Sequence, residues 1–279
     1  MPIVYPHTSY LIMATPRSGS YLCCESLINT HLAGHPTEYF GPVQTRVLSK
    51  RLHASNYIEC LAWILRKGTT PNGVFGGKVL WQFHEDLAER LREIDGCEKL
   101  SFAELLSETF PNLHYIWATR RDKVKQAISF WKASQTRAWV NINAEEWQSE
   151  APLIADQRGI ASNIWTDNPF WRSVGQEAVF DYKAIERLRR CLEQDEVEIQ
   201  NYFTTLGIQP FKVVYEDLVN AYEETALQIL DYLQISVPEK LVFGERKLQK
   251  QADGQSEEWL QRYYQLKQQE EAEKLRTGS

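Results

Sequence analysis

Arg17-Ser18-Gly19-Ser20 puts a fixed positive charge, two hydroxyls and a residue without a Cβ into four consecutive positions. The apolar run Tyr10-Leu11-Ile12-Met13 precedes it and reads as a buried strand, while apolar positions from Tyr21 to Thr30 recur at helical spacing. A strand that turns into a helix through small residues leaves backbone N–H groups free at the positive end of the helix dipole, which is an anion site. Arg120 and Arg121 repeat the arrangement: they follow the apolar run His114–Ala118 and precede the helical pattern Val124, Ala127, Ile128, Trp131. Ligands of open α/β sheets bind at the carboxyl ends of strands, where both basic groups fall. The third chemical feature is Glu38, in Pro36-Thr37-Glu38-Tyr39-Phe40 between a turn and two aromatics. It is either a solvated loop charge or a general base beside an aromatic wall suited to a sugar ring, and the residues alone leave both open. In the same way, the two basic turns are either ordinary surface features or a first and a second anion site of the chain.

The composition narrows the classes. With 279 residues and 43% apolar content the chain can bury one large core. A formal charge of −6 argues against a protein that wraps nucleic acid. The five cysteines show no C-x-x-C pair and no Cys/His spacing for zinc, so a reduced, cytoplasmic setting is expected. Met1–Tyr10 lacks a basic stretch followed by a long apolar run, which predicts no signal peptide. No apolar stretch approaches the roughly 20 residues that span a bilayer.

The elements that must position these residues follow from periodicity. Gly34 and Pro36 end the first helix, and His35–Pro42 reads as a loop. One helix is expected over Arg46–Lys67, then a turn at Thr70-Pro71-Asn72-Gly73 and a second strand at Val74–Trp81. Gly76 and Gly77 in that strand mark either a close backbone approach or a bulge. Helices are expected at Phe83–Ile94 and after Ser101, which opens a capping box with Glu104. Residues 141–172, rich in tryptophan, read as an insertion. Asp181 caps a long helix ended by Gly207, Phe211–Tyr215 is a fourth strand, and Asn220 starts a helix to about Leu233. A charged, glutamine-rich helix covers about 256–275. Strands alternating with helices predict one α/β domain over 1–279, with a mainly parallel central sheet flanked by helices.

The order of these pieces resembles the bacterial carbohydrate sulfotransferases, the family typified by trehalose 2-sulfotransferase. The resemblance rests on Arg17-Ser18-Gly19-Ser20; on Pro36-Thr37-Glu38-Tyr39-Phe40; on Pro71 to Lys78; on Asp122 through Trp139; and on Gln251-Ala252-Asp253 with Ser256, Glu258 and Trp259. Five collinear matches span nearly the whole chain. The resemblance implies a P-loop-like sulfotransferase fold and 3′-phosphoadenosine-5′-phosphosulfate (PAPS) as donor. Arg17, Ser18, Gly19, Ser20 and Tyr21 would hold its 5′-phosphosulfate, and Arg120 with Ser129 its 3′-phosphate. Alignment through Asp122 favours Arg120, whereas Arg121, eight residues before Ser129, stands at the interval of the wider sulfotransferase motif. Glu38 takes the place of the proton acceptor, and Pro16, His35, Thr37, Tyr39 and Phe40 fall in the acceptor site. Pro16 stands where the trehalose enzyme has glutamine, His35 where it has an acidic residue, and Tyr21 where it has threonine.

Sulfuryl transfer from PAPS to a hydroxyl of a carbohydrate or glycolipid is therefore the leading expectation, with a homodimer suggested by the resemblance. One alternative is an inactive nucleotide- or sugar-binding protein on the same fold. The other is an ATP-dependent small-molecule kinase. Against the kinase, G-x-x-x-x-G-K-[ST] is absent, no lysine follows Gly19, and no metal-binding aspartate follows a strand. No metal is expected.

Overall fold

A computed structural model describes residues 5–136, 139, 178–248 and 254–277. Among the described residues, four parallel strands form one sheet: β1 (Thr8–Ala14), β2 (Val74–Leu80), β3 (Leu113–Thr119) and β4 (Phe211–Val214), in the order β2-β1-β3-β4. A parallel sheet carries helices on both faces, so its inner strand should be buried on both sides. β1 is: Tyr10 to Ala14 are wholly inaccessible to solvent. Leu11 and Met13 face one core, with Phe75, Val79 and Trp117. Tyr10, Ile12 and Ala14 face the other, with Ile116 and Val213. The mainly parallel α/β architecture expected from the alternation of elements is the one observed.

The first core is covered by α3 (Tyr57–Gly68), α4 (His84–Arg92), α5 (Phe102–Thr109) and the end of α7 (Tyr182–Thr205). The second is covered by α1 (Ser20–Ile28), α8 (Tyr215–Asn220) and α9 (Tyr222–Tyr232). A third cluster joins α6 (Lys123–Thr136), α7 and α10 (Gly254–Thr277). Glu25, buried on α1, accepts hydrogen bonds from the amides of Lys247 and Leu248 at 2.7 and 2.8 Å and from the Tyr222 hydroxyl at 3.1 Å. One carboxylate thus ties the segment before α10 to the helix that follows β1.

Several expectations meet the structure directly. Ser101 and Glu104 form the capping box of α5. Asp181 caps α7 by accepting from the Ala184 amide, and Gly207 just beyond the helix has φ +65°. Other boundaries differ. The helix expected over Arg46–Lys67 is two, α2 (Pro42–Leu52) and α3, because His53 turns left-handed (φ 50°) and Asn56 caps a new helix from the Glu59 amide. The apolar spacing runs through the break because both helices bury one side against the same core. Asn220 ends α8 rather than starting α9. Gly76 and Gly77 sit in unbroken register opposite Tyr10 and Leu11, so there is no bulge. The reason for glycine is close approach: a Cβ at Gly76 would stand 2.5 Å from the Tyr10 hydroxyl, and one at Gly77 2.9 Å from the Phe40 ring. The expected insertion at 141–172 and Gln251-Ala252-Asp253 lie outside the described residues.

Candidate active site

β1 ends at Ala14 and the chain turns through Thr15–Gly19 into α1. Arg17 (φ 64°) and Gly19 (φ 87°) both adopt the left-handed conformation that lets the turn double back. At Gly19 any side chain would have to displace the turn or the Tyr215 ring, since a Cβ would lie 2.4 Å from that ring. Gly19 is also the N-cap of α1 and offers no side chain to its first amides, which leaves those N–H groups for a ligand. Ser18 is buried and its hydroxyl makes no hydrogen bond. A buried donor left without a partner costs on the order of 1–3 kcal/mol, a cost that a bound oxyanion would relieve. Ser20, also buried, is the first residue of α1.

Two arginines converge on this turn. Arg17 Nε donates to Ser129 Oγ at 2.9 Å, and its Nη1 donates to the Trp139 carbonyl. Burial, and next the charge of Arg120, pull the Arg17 guanidinium down to about 10. Arg120 follows β3. Its side chain is 14% exposed, lies with Cζ 4.7 Å from the Tyr215 ring centre, and has Glu216 Oε1 3.8 Å from a buried Nε that makes no hydrogen bond. Its proton affinity too is lowered, chiefly by burial. Two like charges held together with a donor left open can hold an anion. Arg121 points away: its side chain is 58% exposed and pairs with Asp217. Of the two alternatives at this position, Arg120 faces the turn.

The turn is braced from behind. Gln126 Nε2 donates to the Pro16 carbonyl at 2.7 Å and to Thr15 Oγ1 at 2.9 Å. Glu196 on α7 accepts from Lys123 Nζ at 2.6 Å and from Thr119 Oγ1 at 2.7 Å. These contacts tie the end of β1 to α6, and the end of β3 and the start of α6 to α7.

The Glu38 loop is sewn to the outer side of β2, the sheet's edge strand. The Lys78 amide donates to the Thr37 carbonyl at 3.0 Å, and the His35 amide to Gly68 at 2.9 Å. Glu38 is 9% exposed. Its Oε2 lies 3.0 Å from Lys78 Nζ and accepts from the Tyr21 hydroxyl at 3.2 Å, while Oε1 has Gln44 Nε2 at 3.4 Å. The solvated-charge alternative is therefore excluded. Tyr21, one residue into α1, links Glu38 to the Arg17–Ser20 turn.

Tyr39 and Phe40 do not form the expected aromatic wall. Tyr39 and Phe40 are 5% and 1% exposed and pack with Phe75 and Phe110, with ring centres 5.5–6.4 Å apart. The loop turns them inward because the glycines of β2 leave room for Phe40 beneath it. Pro16 is buried, and His35 and Thr37 are half-buried on the Glu38 loop. Spacing assigns no role to Lys78 or Tyr215, although Tyr215 follows a parallel strand, where ligands gather. Lys78 carried no such signal, since a lysine inside a strand reads as an exposed edge charge.

The family model described as Stf0 sulphotransferase matches this chain over residues 9–164 and 153–266. Trehalose 2-sulfotransferase of Mycolicibacterium smegmatis is 27% identical over 283 residues, covering 92% of this chain and 94% of that protein. Trehalose 2-sulfotransferase of Mycobacterium tuberculosis is 27% identical over 279 residues, covering 91% and 93%. Among solved structures, the sulfotransferase domain from the Synechococcus PCC 7002 olefin synthase aligns over 91% of this chain and 83% of its own, with TM-score 0.41 and 14% identity.

Proposed function

The chain belongs to the Stf0 sulphotransferase family, and from that premise we propose that it transfers a sulfuryl group from PAPS to a hydroxyl of a carbohydrate or glycolipid. The observation that carries the donor assignment is the pair of buried, unfilled donors, Ser18 Oγ and Arg120 Nε, beside Arg17. The 5′-phosphosulfate lies on the Arg17–Tyr21 turn and the uncapped amides of α1, and the 3′-phosphate meets Arg120 near Ser129. A carbohydrate acceptor is supported by the names of the two relatives, both trehalose 2-sulfotransferases.

In the reaction the acceptor oxygen forms a bond to sulfur as the bond from sulfur to the 5′-phosphate oxygen breaks, in line. The hydroxyl proton passes to Glu38, and the products are a sulfate ester and 3′-phosphoadenosine 5′-phosphate (PAP). A positioned base contributes about 10²–10⁴-fold. Arg17 and the amides of α1 offset charge growing on the leaving phosphate. No divalent cation takes part, so EDTA leaves turnover unchanged.

The second reading is a nucleotide-binding protein that does not transfer, favoured by the Tyr21 hydroxyl already resting on Glu38. Calorimetric titration with PAP, AMP and ATP, without metal, tests the donor site. Strong preference for PAP is expected, and equal binding of PAP and AMP would remove PAPS as donor. Incubation with labelled PAPS and trehalose then separates transfer from binding alone.

A further inference from the structure

Lys78 is wholly buried, and its ammonium is held by a carboxylate on one side and an aromatic face on the other. Its backbone amide donates to Thr37 while its side chain reaches Glu38, so one residue of β2 grips two successive residues of the loop. We infer that Lys78 is a positioning residue for Glu38, holding the buried carboxylate in place by its charge and by its grip on the loop, aimed so that it takes the acceptor's proton in each cycle and gives it back. This rests on the reading of Glu38 as the proton acceptor.

The groups facing Glu38 come from three elements: Lys78 from β2, Tyr21 and Cys24 from α1, and Gln44 from α2. Cys24 is neutral, since burial pushes its thiol up to about 12. Among these described groups, Lys78 brings the charge. A carboxylate buried without a counter-ion takes a proton from water and can no longer accept one from a hydroxyl. Burial would also discharge Lys78, but Tyr21 and Glu38 outweigh it and raise the proton affinity of the ammonium.

The proton cycle explains the second contact. When Glu38 takes the acceptor's proton it becomes neutral, and the Lys78 charge loses its partner. The Tyr21 ring, its centre 3.3 Å from Nζ, then continues to stabilise the cation. Lys78 keeps its own protons throughout, and its charge drives the proton from Glu38 to water once the sulfate ester leaves. Because Tyr21 belongs to the donor turn, the base is held in register with the donor.

The test is carboxyl NMR on the full chain labelled with ¹³C-glutamate, with the Glu38 signal identified by its loss in Glu38→Gln. In Lys78→Gln, which keeps a donor and removes the charge, that signal at neutral pH moves toward the position of a protonated carboxyl. An unmoved signal in the variant would overturn the inference. If that variant does not fold, urea unfolding of Lys78→Met against Lys78→Met/Glu38→Gln decides: recovered stability in the double variant is expected, and no recovery refutes the coupling. Turnover of Glu38→Gln with PAPS and trehalose addresses the base separately. Wild-type turnover there would end the base reading and leave the NMR result standing.

Discussion

Arg120 and Arg121 are adjacent and chemically identical, yet their surroundings separate them. Arg120 loses water to the Tyr215 ring and faces Arg17, whereas Arg121 stays in solvent with Asp217. An exposed pair contributes little, about 0–1 kcal/mol, and water replaces it readily. Arg120→Ala should therefore weaken PAP by about tenfold to a hundredfold, as the loss of a charged hydrogen bond predicts, and leave AMP nearly unaffected. Arg121→Ala should change neither. Parallel titrations check both; a larger loss in Arg121→Ala would reverse the assignment. Glu38 makes the same point for acids: of the many carboxylates in the chain, the loop places this one against a buried ammonium. Replacing it by glutamine preserves shape and removes basicity, so turnover should fall by about 10²–10⁴-fold with PAP binding intact.

At the scale of elements, the junction of β1 and α1 is the part least tolerant of change. Gly19 is left-handed, caps α1 and lies against Tyr215, which in turn supports Arg120. A methyl group there must displace either the ring or the turn. Strain of this kind costs about 1–3 kcal/mol. Gly19→Ala should lower the denaturant midpoint and weaken PAP at least tenfold; unchanged PAP affinity would mean that the turn does not contact the nucleotide. The Glu38 loop depends on β2 being an edge strand, because only an edge leaves the Lys78 amide free to hold Thr37. Paired residues at Gly76 and Gly77 could not accommodate Tyr10 and Phe40, so the strand's glycines and the loop's inward aromatics form one packing solution.

Across the whole molecule, α7 carries acidic side chains toward the sheet. Asp195 is half-buried beside Glu198, His84 and Glu196, and burial, then Glu198, raises its carboxyl from 3.8 to about 6. A carboxyl raised on folding binds protons more tightly in the native state, so stability falls as pH rises from about 4 to about 6. Asp195→Asn should then stabilise the fold by about 1 kcal/mol at pH 8, solvent screening having reduced the full effect, and by nothing near pH 3.5. Thermal unfolding at the two pH values, with a rise of about 2 °C only at the higher, checks this. The alternation of strands and helices, the capping box at Ser101 and the basic turns at Arg17 and Arg120 were legible in the amino-acid order, because each is set by neighbours within a few residues. So was the motif that marks Glu38. The break between α2 and α3 was hidden, since both helices continue one apolar pattern. The burial of Arg120 against the exposure of Arg121, the burial of Tyr39 and Phe40, and the meeting of Lys78 with Glu38 were decided by tertiary structure alone. Each depends on which strand lies at the edge and which ring fills the space beside it, and those contacts join residues far apart in the chain whose energies no local pattern records.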